Sequence, residues 1–367
     1  MARRTVQGAR TKAGRNSGDG NEMRVTARDV AKAAGVSPAT ASLVFRGKPG
    51  VGQDTRERVL AVANELGFEY EGQATSQRTS TILLVIYKRS GQVVGDTPFF
   101  EELIKGVSDA TYQSGYHRLS ISYFYAQQSA SEQLKSLRSV KCAGIILLAT
   151  EMLSIDVSQF ERLGVPIVIL DNWFPSKPMD CVVIDNQHGA WEASRYLISK
   201  GHTNVGYLHS KVEIRNFLER RSGWRTAVQG VIEDEGNPER FVARVGSTTE
   251  SAYRDMTAYL DGNPCLPTAY FADNDVIAEG CIRAMKEHGI RVPEDISVVG
   301  FDDAPMTEMV DPPLTTMSVP KAAMGALAVR RLIARIREET HGEAVRVSVL
   351  PQVVERESVR PLEVKLP

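Results

Sequence analysis

Two spacing regimes, separated by a polar break, run along this chain. From Val25 to Gly47 (VTARDVAKAAGVSPATASLVFRG), Val30, Ala31 and Ala34 recur at helical spacing, and a second short stretch carries the small residues Ala39, Thr40, Ala41 and Ser42. Over about Asp54–Leu66 the apolar positions Val59, Val62, Ala63 and Leu66 recur in the same way. They predict a third helix that closes a small core, ended by Gly67, with Arg56 and Arg58 on its polar side. Glu69–Thr81 (EYEGQATSQRTST) has no such period and reads as a linker. From Ile82 onward, short apolar runs alternate with amphipathic stretches. Strands are predicted at Ile82–Tyr87, Leu119–Tyr125, Gly144–Ala149, Pro166–Leu170 and Val182–Ile184, with helices at Glu101–Gly115, Ala130–Val140 and Ser158–Leu163. The rhythm then restarts. Strands at Val205–His209, Phe241–Arg244, Ala269–Ala272 and Ser297–Phe301 alternate with helices at Gly189–Ser199, Ser222–Glu235, Ser251–Leu260 and Val276–His288. Two consecutive doubly wound halves of this kind make a two-lobed α/β body with a cleft between the lobes.

Local signals sharpen the first segment. Thr26 caps the first helix and Asp29, three residues on, closes a capping box. Gly35 supplies a tight turn, Ser37 caps the second helix, and Pro38 sits where a missing N–H costs nothing. The pair is a helix-turn-helix whose small-faced second helix is sized for the DNA major groove. Asp29-Val30-Ala31, Ala34-Gly35-Val36-Ser37, Thr40, Ser42, Val44 and Gly47 together resemble the N-terminal headpiece of the LacI/GalR family of bacterial repressors.

The body carries matching signposts. They are Pro98-Phe99-Phe100, Leu170-Asp171, Val183-Ile184-Asp185-Asn186 with Gly189, Gly201-His202, Arg220 before Gly223-Trp224, Asp273-Asn274-Asp275 with Gly280, the run from Val292 to Asp303, and Pro312-Pro313-Leu314-Thr315-Thr316. To about Arg360 it is similar to the effector-binding core of the same family, which shares its fold with periplasmic sugar-binding proteins. The resemblance implies an N-terminal all-α helix-turn-helix headpiece (23–68), a hinge or linker (69–81) and an α/β two-lobed periplasmic-binding-protein-like core of two doubly wound parallel sheets (82–360). The N-lobe is expected at about 82–184 and 320–343, the C-lobe at about 185–319 and 344–360, with a tail at 361–367. In the family the linker folds into a hinge helix that wedges a Leu into the minor groove. Here Tyr70-Glu71, Gly72 and Gln77 depart from that pattern, and Glu69 and Glu71 repel phosphates, so family-style kinking is not expected.

Composition adds a polarity. With 44 basic and 45 acidic residues among 367, the chain has no global charge that would mark a nucleic-acid binder. Through Arg78, however, 13 basic residues face 8 acidic ones, and the remainder carries 31 against 37. A basic head on an acidic body fits a phosphate-contacting module attached to something else. Residues 1–22, rich in Arg, Lys, Gly, Ser and Asn, are expected to be disordered. They are either a basic arm that adds non-specific DNA affinity or a stretch ahead of a start at Met23. Cys142, Cys181, Cys265 and Cys281 lie far apart with no C-x-x-C pair, so they are expected as buried thiols in a reducing cytosol, not as metal ligands. No apolar run is long enough to span a membrane and no secretory signal is evident, which points to a cytoplasmic protein.

On the DNA side, the resemblance places Pro38 to Arg46 against the groove. Pro38 and Ala39 stand where the family varies with operator sequence, and Leu43 stands where an Arg commonly reads guanine. Leu43 is expected to touch a thymine methyl instead, giving an operator unlike the usual central-CG palindrome. Thr40 and Ser42, with Thr26 and the Ser37 helix start, are expected to hold phosphates, and Arg46 and Lys48 to add to them. One headpiece is too small for tight specific binding, so a homodimer on a pseudo-palindromic double-stranded operator is expected, without a C-terminal tetramer bundle.

On the ligand side, Asp171, Arg220, Asn274 and Asp275 match positions that contact a small-molecule effector in the family, expected here to be a sugar. Phe99, Phe100 and Trp173 are candidates to stack on its ring. Carboxylates accept hydroxyl hydrogen bonds and a guanidinium donates several in a rigid fork. Gly246-Ser247-Thr248-Thr249 lacks the aromatic often found there, which argues against a close copy of the usual sugar pocket. Asp302-Asp303 reads as a structural turn and His202 as a cap or surface residue. No dinucleotide fingerprint, phosphate loop or nucleophile–base pair occurs, so neither catalysis nor a cofactor is expected. The reading is a ligand-controlled transcription regulator, expected to be a repressor. The alternatives are a solute receptor without DNA function and an enzyme on the same fold.

Overall fold

Helix α1 (Ala27–Ala33) starts where the local signals put it: the backbone N–H and hydroxyl of Thr26 donate to Asp29 Oδ2 at 2.8 and 2.6 Å. Gly35 then stands at φ 67°, a left-handed conformation that would cost a side-chain-bearing residue about 1–2 kcal/mol. It turns the chain into α2 (Pro38–Phe45), and α3 (Gln53–Glu65) follows. Val30, Ala31, Ala34, Ala41, Val44, Phe45, Val59 and Ala63 bury one another. Leu66 was expected among them but is exposed. Phe68 packs there instead, its ring 5.2 Å from that of Phe45.

The computed structural model describes residues 25–46, 48, 50–66, 68, 81–95, 98–116, 118–229, 231, 237–337 and 342–362. The expectations for residues 1–22, for Gly47 and Gly67, and for the linker residues Glu69, Tyr70, Glu71, Gly72 and Gln77 therefore lie outside the described residues. The chain divides into two compact units, Met1–Gln77 and Arg78–Pro367.

The second unit alternates strands and helices in the order β1 (Thr81–Lys88), α4 (Pro98–Gln113), β2 (Arg118–Tyr125), α5 (Ala130–Ser139), β3 (Gly144–Leu148), α6 (Ser154–Glu161), β4 (Ile167–Leu170) and β5 (Cys181–Ile184). Then come α7 (Asn186–Ser199), β6 (Val205–Ser210), α8 (Arg215–Val228), β7 (Val242–Val245), α9 (Thr249–Asp261), β8 (Ala269–Ala272), α10 (Asp275–Glu287) and β9 (Ser297–Val299). Last are β10 (Thr316–Ser318), α11 (Lys321–Ile336), β11 (Arg346–Val349) and β12 (Gln352–Val354). The expected linker runs one residue too far, since Thr81 is already the buried first residue of β1.

Two parallel sheets result. The first has the order β11-β5-β4-β3-β1-β2, the second β7-β6-β8-β9. Strand β11 corrects the expected lobe boundary: Arg346–Val349 pairs with Cys181–Ile184 in the first sheet, so that stretch does not belong to the C-lobe. Its short polar run (RVSV) gives no apolar signal of its own. The chain crosses between the lobes after β5, between β10 and α11, and between β11 and β12, and β10 and β12 pair antiparallel where two crossings run together. Helix α8 begins at Arg215 and not at Ser222, because the buried stripe Phe217, Arg220, Trp224 extends about two turns earlier. Close approaches lock helix pairs. A Cβ on Gly106 of α4 would lie 2.2 Å from Ala322 O of α11, and one on Gly223 of α8 2.1 Å from Gln187 O of α7.

In each sheet the order reverses beside the first strand, between β1 and β3 and between β6 and β8. Loops leaving the carboxyl ends of strands diverge there and leave a crevice where ligands of open α/β sheets bind.

Candidate functional site

In the first unit, one face of α2 holds the fold and the other is free. Ala41, Val44 and Phe45 point into the core, while Pro38, Ala39, Leu43 and Arg46 are exposed and Ser42 is half-buried. At 100° per residue, positions 38, 39, 42, 43 and 46 fall on one side. Ser37 caps the helix: its Oγ accepts from Thr40 N at 3.1 Å and lies 2.8 Å from Thr40 Oγ1. The hydroxyls of Ser37 and Thr40 are thus bonded to each other; Pro38 has no N–H, Thr40 N is held by Ser37 Oγ and Ala41 N by the Ser37 carbonyl, so Ala39 supplies the anion-facing amide of the first turn. Lys48 is exposed, and its carbonyl accepts from Arg56 Nη2 at 2.7 Å. Arg56 therefore ties the loop after α2 to α3. Thr26 is exposed at the start of α1. The hydrogen bond from Thr26 holds the Asp29 carboxyl below its usual range.

In the second unit, a cavity of about 40 Å³ lies at the carboxyl ends of both sheets. From the first lobe it takes Gln92 and Val93 after β1, Thr150 after β3 and Asp171 after β4, with Phe99 and Phe100 from α4. From the second it takes Ile214, Asn216, Phe217 and Arg220, with Ser247, Asn274, Asp275, Val276, Asp302 and Ala304. Six of the seven expected effector residues meet here.

Asp171, at φ 62°, is the joint between lobes. Its carboxylate accepts from Thr150 Oγ1 at 2.6 Å and from Asn216 Nδ2, across the cleft, at 2.9 Å. Burial pushes its carboxyl up to about 6, against the opposing pull of Thr150, Arg220 and Asn216. Arg220 is 2% exposed. Its Nε donates to Asn186 Oδ1 at 2.9 Å, Nη1 to the Asp273 carbonyl, and Nη2 to Asp302 Oδ1 at 3.2 Å, while the guanidinium lies 3.7 Å from the Phe301 ring centre. Asp275 accepts from Ala304 N at 2.8 Å and from the Thr316 hydroxyl. Burial, and then the charge of Asp302, push its carboxyl up to about 8. Asn274 caps α10, its Oδ1 accepting from Ile277 N at 3.0 Å. Phe99 and Phe100 meet edge to face, 5.0 Å apart.

Trp173 is the seventh and is not at the cavity. Its Nε1 donates to Glu219 Oε1 at 2.7 Å, and the guanidinium groups of Arg215 and Arg346 lie 4.6 and 4.4 Å from its ring centre. It lines a separate surface pocket with Phe174, Pro178 and Arg346. Adjacency to a strand end suggested the cleft, but its ring already has cationic partners elsewhere. His202 is also not a surface residue. It is buried, with Nδ1 3.0 Å from Thr268 Oγ1 and Nε2 3.1 Å from the Arg360 carbonyl, tying the chain end to the second lobe.

Asp302 and Asn216 escaped the sequence reading. Asp302 lies three residues past β9 and directly after the strand end predicted at Phe301, so the strand-end signal that singled out Asp171 applied to it too. Burial pushes its carboxyl up, and Arg220 and Lys321 oppose that. Asn216 lies four residues before Arg220, on the same helical face, a signal hidden only by starting the helix too late. The lining thus combines three carboxyl groups, one guanidinium already donating three bonds, and apolar walls. It can accept hydroxyl hydrogen bonds. Among the described residues no group of His, Cys, Asp and Glu could hold a metal ion, and no helix is long and apolar enough to cross a membrane.

Comparison with known proteins matches residues 26–70 to a model of bacterial regulatory proteins of the lacI family and residues 194–359 to a periplasmic binding protein-like domain. The chain is 34% identical over 349 residues to the HTH-type transcriptional regulator DegA of Bacillus subtilis (strain 168), covering 93% of this chain and 99% of DegA. It is 30% identical over 346 residues to the HTH-type transcriptional repressor PurR of Vibrio atlanticus (strain LGP32), covering 92% and 99%. Among solved structures, a transcriptional regulator CelR–cellobiose complex superposes with a TM-score of 0.67 at 29% identity, covering 91% of this chain and all of that one.

Proposed function

The chain belongs to the lacI family of bacterial regulatory proteins, as a DNA-binding transcriptional regulator and not an enzyme, and from that premise we propose that it is a repressor whose hold on a pseudo-palindromic operator is set by an uncharged polyol, a sugar, gripped between the two lobes of its body.

The observation that carries the ligand reading is the Asn216–Asp171 hydrogen bond at the cavity. It joins the lobes through an acceptor that a ligand hydroxyl can take over, so ligand and closure compete for the same carboxylate. Asp275, pushed up to about 8, is largely protonated near neutral pH, so the charged acceptors of the lining are Asp171 and the Arg220-paired Asp302, and the one guanidinium has already committed to Asn186, Asp273 and Asp302. A phosphate would meet repulsion there; hydroxyls would meet acceptors. A cavity of about 40 Å³ is far smaller than the ~300–1,000 Å³ of sites for small molecules, so a sugar enters only as the lobes part. The solved neighbour named for its cellobiose complex agrees with a sugar ligand.

On the DNA side, Pro38, Ala39 and Leu43 read base edges. Ser42, Arg46, Lys48, Thr26 and the Ala39 amide beside the Ser37 helix start hold phosphates, and Thr40 acts through its bond to Ser37. A homodimer supplies the second half-site. The exposed Ile121, Tyr123 and Tyr125 of the edge strand β2 form an apolar patch suited to pairing with a second copy.

Selection of duplexes from a random pool, followed by band shifts across a salt series, tests the DNA half. The expected result is a two-fold related sequence bound with an affinity that falls steadily with salt. No preference over random competitor would end the reading. Thermal shift of the full chain against neutral sugars and sugar phosphates tests the other half, because a true ligand raises the melting point by mass action. Stabilisation by phosphates alone would refute the uncharged ligand.

A further inference from the structure

Strands β1 and β3 are parallel neighbours, in register from Ile82↔Gly144 to Ile86↔Leu148, so the chain leaves both at the same edge of the cleft. There, Glu151 is 4% exposed and meets only donors. Its Oε2 accepts backbone N–H bonds from Arg89, Ser90 and Gly91 at 2.7, 2.8 and 2.9 Å. Its Oε1 accepts from Val93 and Val94 at 2.9 and 3.0 Å, and from the Ser90 hydroxyl at 3.2 Å. Five consecutive or nearly consecutive amides thus curl around one anion. Gly91, at φ 69°, supplies the left-handed residue that such a backbone concavity requires. The same loop presents Gln92 and Val93 to the cavity, so whatever fixes the loop fixes one wall of the cleft.

We infer that Glu151 is a positioning residue: its carboxylate is the built-in occupant of a backbone anion nest formed by residues 89–94, and with that carboxylate removed the nest takes up a small free carboxylate that restores the wall. The description of the loop as a ligand wall rests on the effector reading above; the nest and its occupant do not. The Arg89 guanidinium is held by Asp156, and Arg89 O accepts from Gln127 Nε2 at 2.9 Å. These contacts anchor the start of the loop, not its curled centre. Ordinary buried ion pairs neutralise a carboxylate with a cation. Here five amides and the Ser90 hydroxyl do so, and without the carboxylate the buried Val94 N–H and its half-buried neighbours would lose their acceptor.

Glu151→Ala deletes a CH₂–COO⁻ unit, the size of acetate. In the full-length variant, hydrogen exchange at amides 89–94 is expected to quicken roughly tenfold or more, with the second sheet unchanged. Acetate is then expected to restore protection along a saturating curve, beyond anything an equal ionic strength of chloride achieves. Glu151→Gln keeps the volume but sets an NH₂ against N–H donors. It should exchange faster than the parent and ignore acetate, and it remains informative if the alanine variant does not fold. Parental protection in either variant, or an acetate effect no larger than that of chloride, overturns the inference. A parent chain that no neutral sugar stabilises would remove the effector reading while leaving this exchange result standing.

Discussion

The outer face of α2 and the cleft of the body prepare for recognition in opposite ways. Pro38, Ala39, Leu43 and Arg46 are exposed, and α2 contributes to the headpiece core only from its other side, through Ala41, Val44 and Phe45. In the cleft, Asp171, Arg220 and Asp275 are almost wholly buried and already bonded to protein groups. The first surface is available to a partner without loss to the fold. The second consists of struts, so a ligand must replace bonds that the protein makes with itself. Under the proposed function, that difference would let one surface read a sequence and the other report a metabolite by changing the protein's shape.

The largest effect that would sharpen this contrast is expected from Arg220→Ala. It strips the partner from Asp302 and the donors from Asn186 and the Asp273 carbonyl, and a buried charge left alone costs about 3–5 kcal/mol. Calorimetry of the full chain should register that loss in the transition of the body. A loss under about 1 kcal/mol would mean that the cleft is as dispensable to the fold as the outer face of α2.

Next in size is the response to acid, which should have opposite signs in the two regions. Asp171 and Asp275 are raised in the folded state, to about 6 and about 8, by burial. Their contribution to stability is therefore fully present below the unfolded value near 3.8 and lost as pH rises through those folded values. Asp29 is lowered, so its contribution is present above the unfolded value and lost as pH falls through the folded one. Melting curves between about pH 5 and about pH 8.5 should show the body weakening as pH rises, with a shallower slope in Asp275→Asn. A body melting point that climbs with pH would contradict the burial argument.

Ser37→Ala should cost the headpiece about 1 kcal/mol, the usual worth of a lost helix cap, visible as reduced helicity and weaker operator binding together. Smallest in stability is Leu43→Ala. The headpiece should melt within about 0.5 kcal/mol of the parent, while discrimination at one operator position falls by about 1 kcal/mol. If melting and binding fell together, the outer face would be structural after all.

The headpiece was legible in the sequence because its determinants are local. The Thr26–Asp29 contact, the turn at Gly35 and the Ser37–Pro38 start each act within a few residues. The alternation of strands and helices in the body was legible for the same reason. The cleft was legible only in part. Asp171, Arg220, Asn274 and Asp275 stood out as polar residues beside strand ends and helix starts; Asp302 was legible only as the turn it forms, at φ 107°, and not as part of the cavity lining. Trp173 stood beside a strand end too, yet its ring went to Arg215 and Arg346. Strand β11 carried no apolar run, and its place beside β5 comes from a partner far away in the chain.

Periodicity, caps and glycine placement by themselves determined the helix-turn-helix, the two parallel sheets and the basic head on an acidic body, because each depends on neighbours along the chain. Only the tertiary structure decided which polar groups meet: Asn216 on Asp171, Arg220 on Asp302, and five loop amides on Glu151. Hydrogen bonds between distant segments depend on ångström-level placement of chain ends that no local pattern encodes, and burial then fixes how strongly each bond is held.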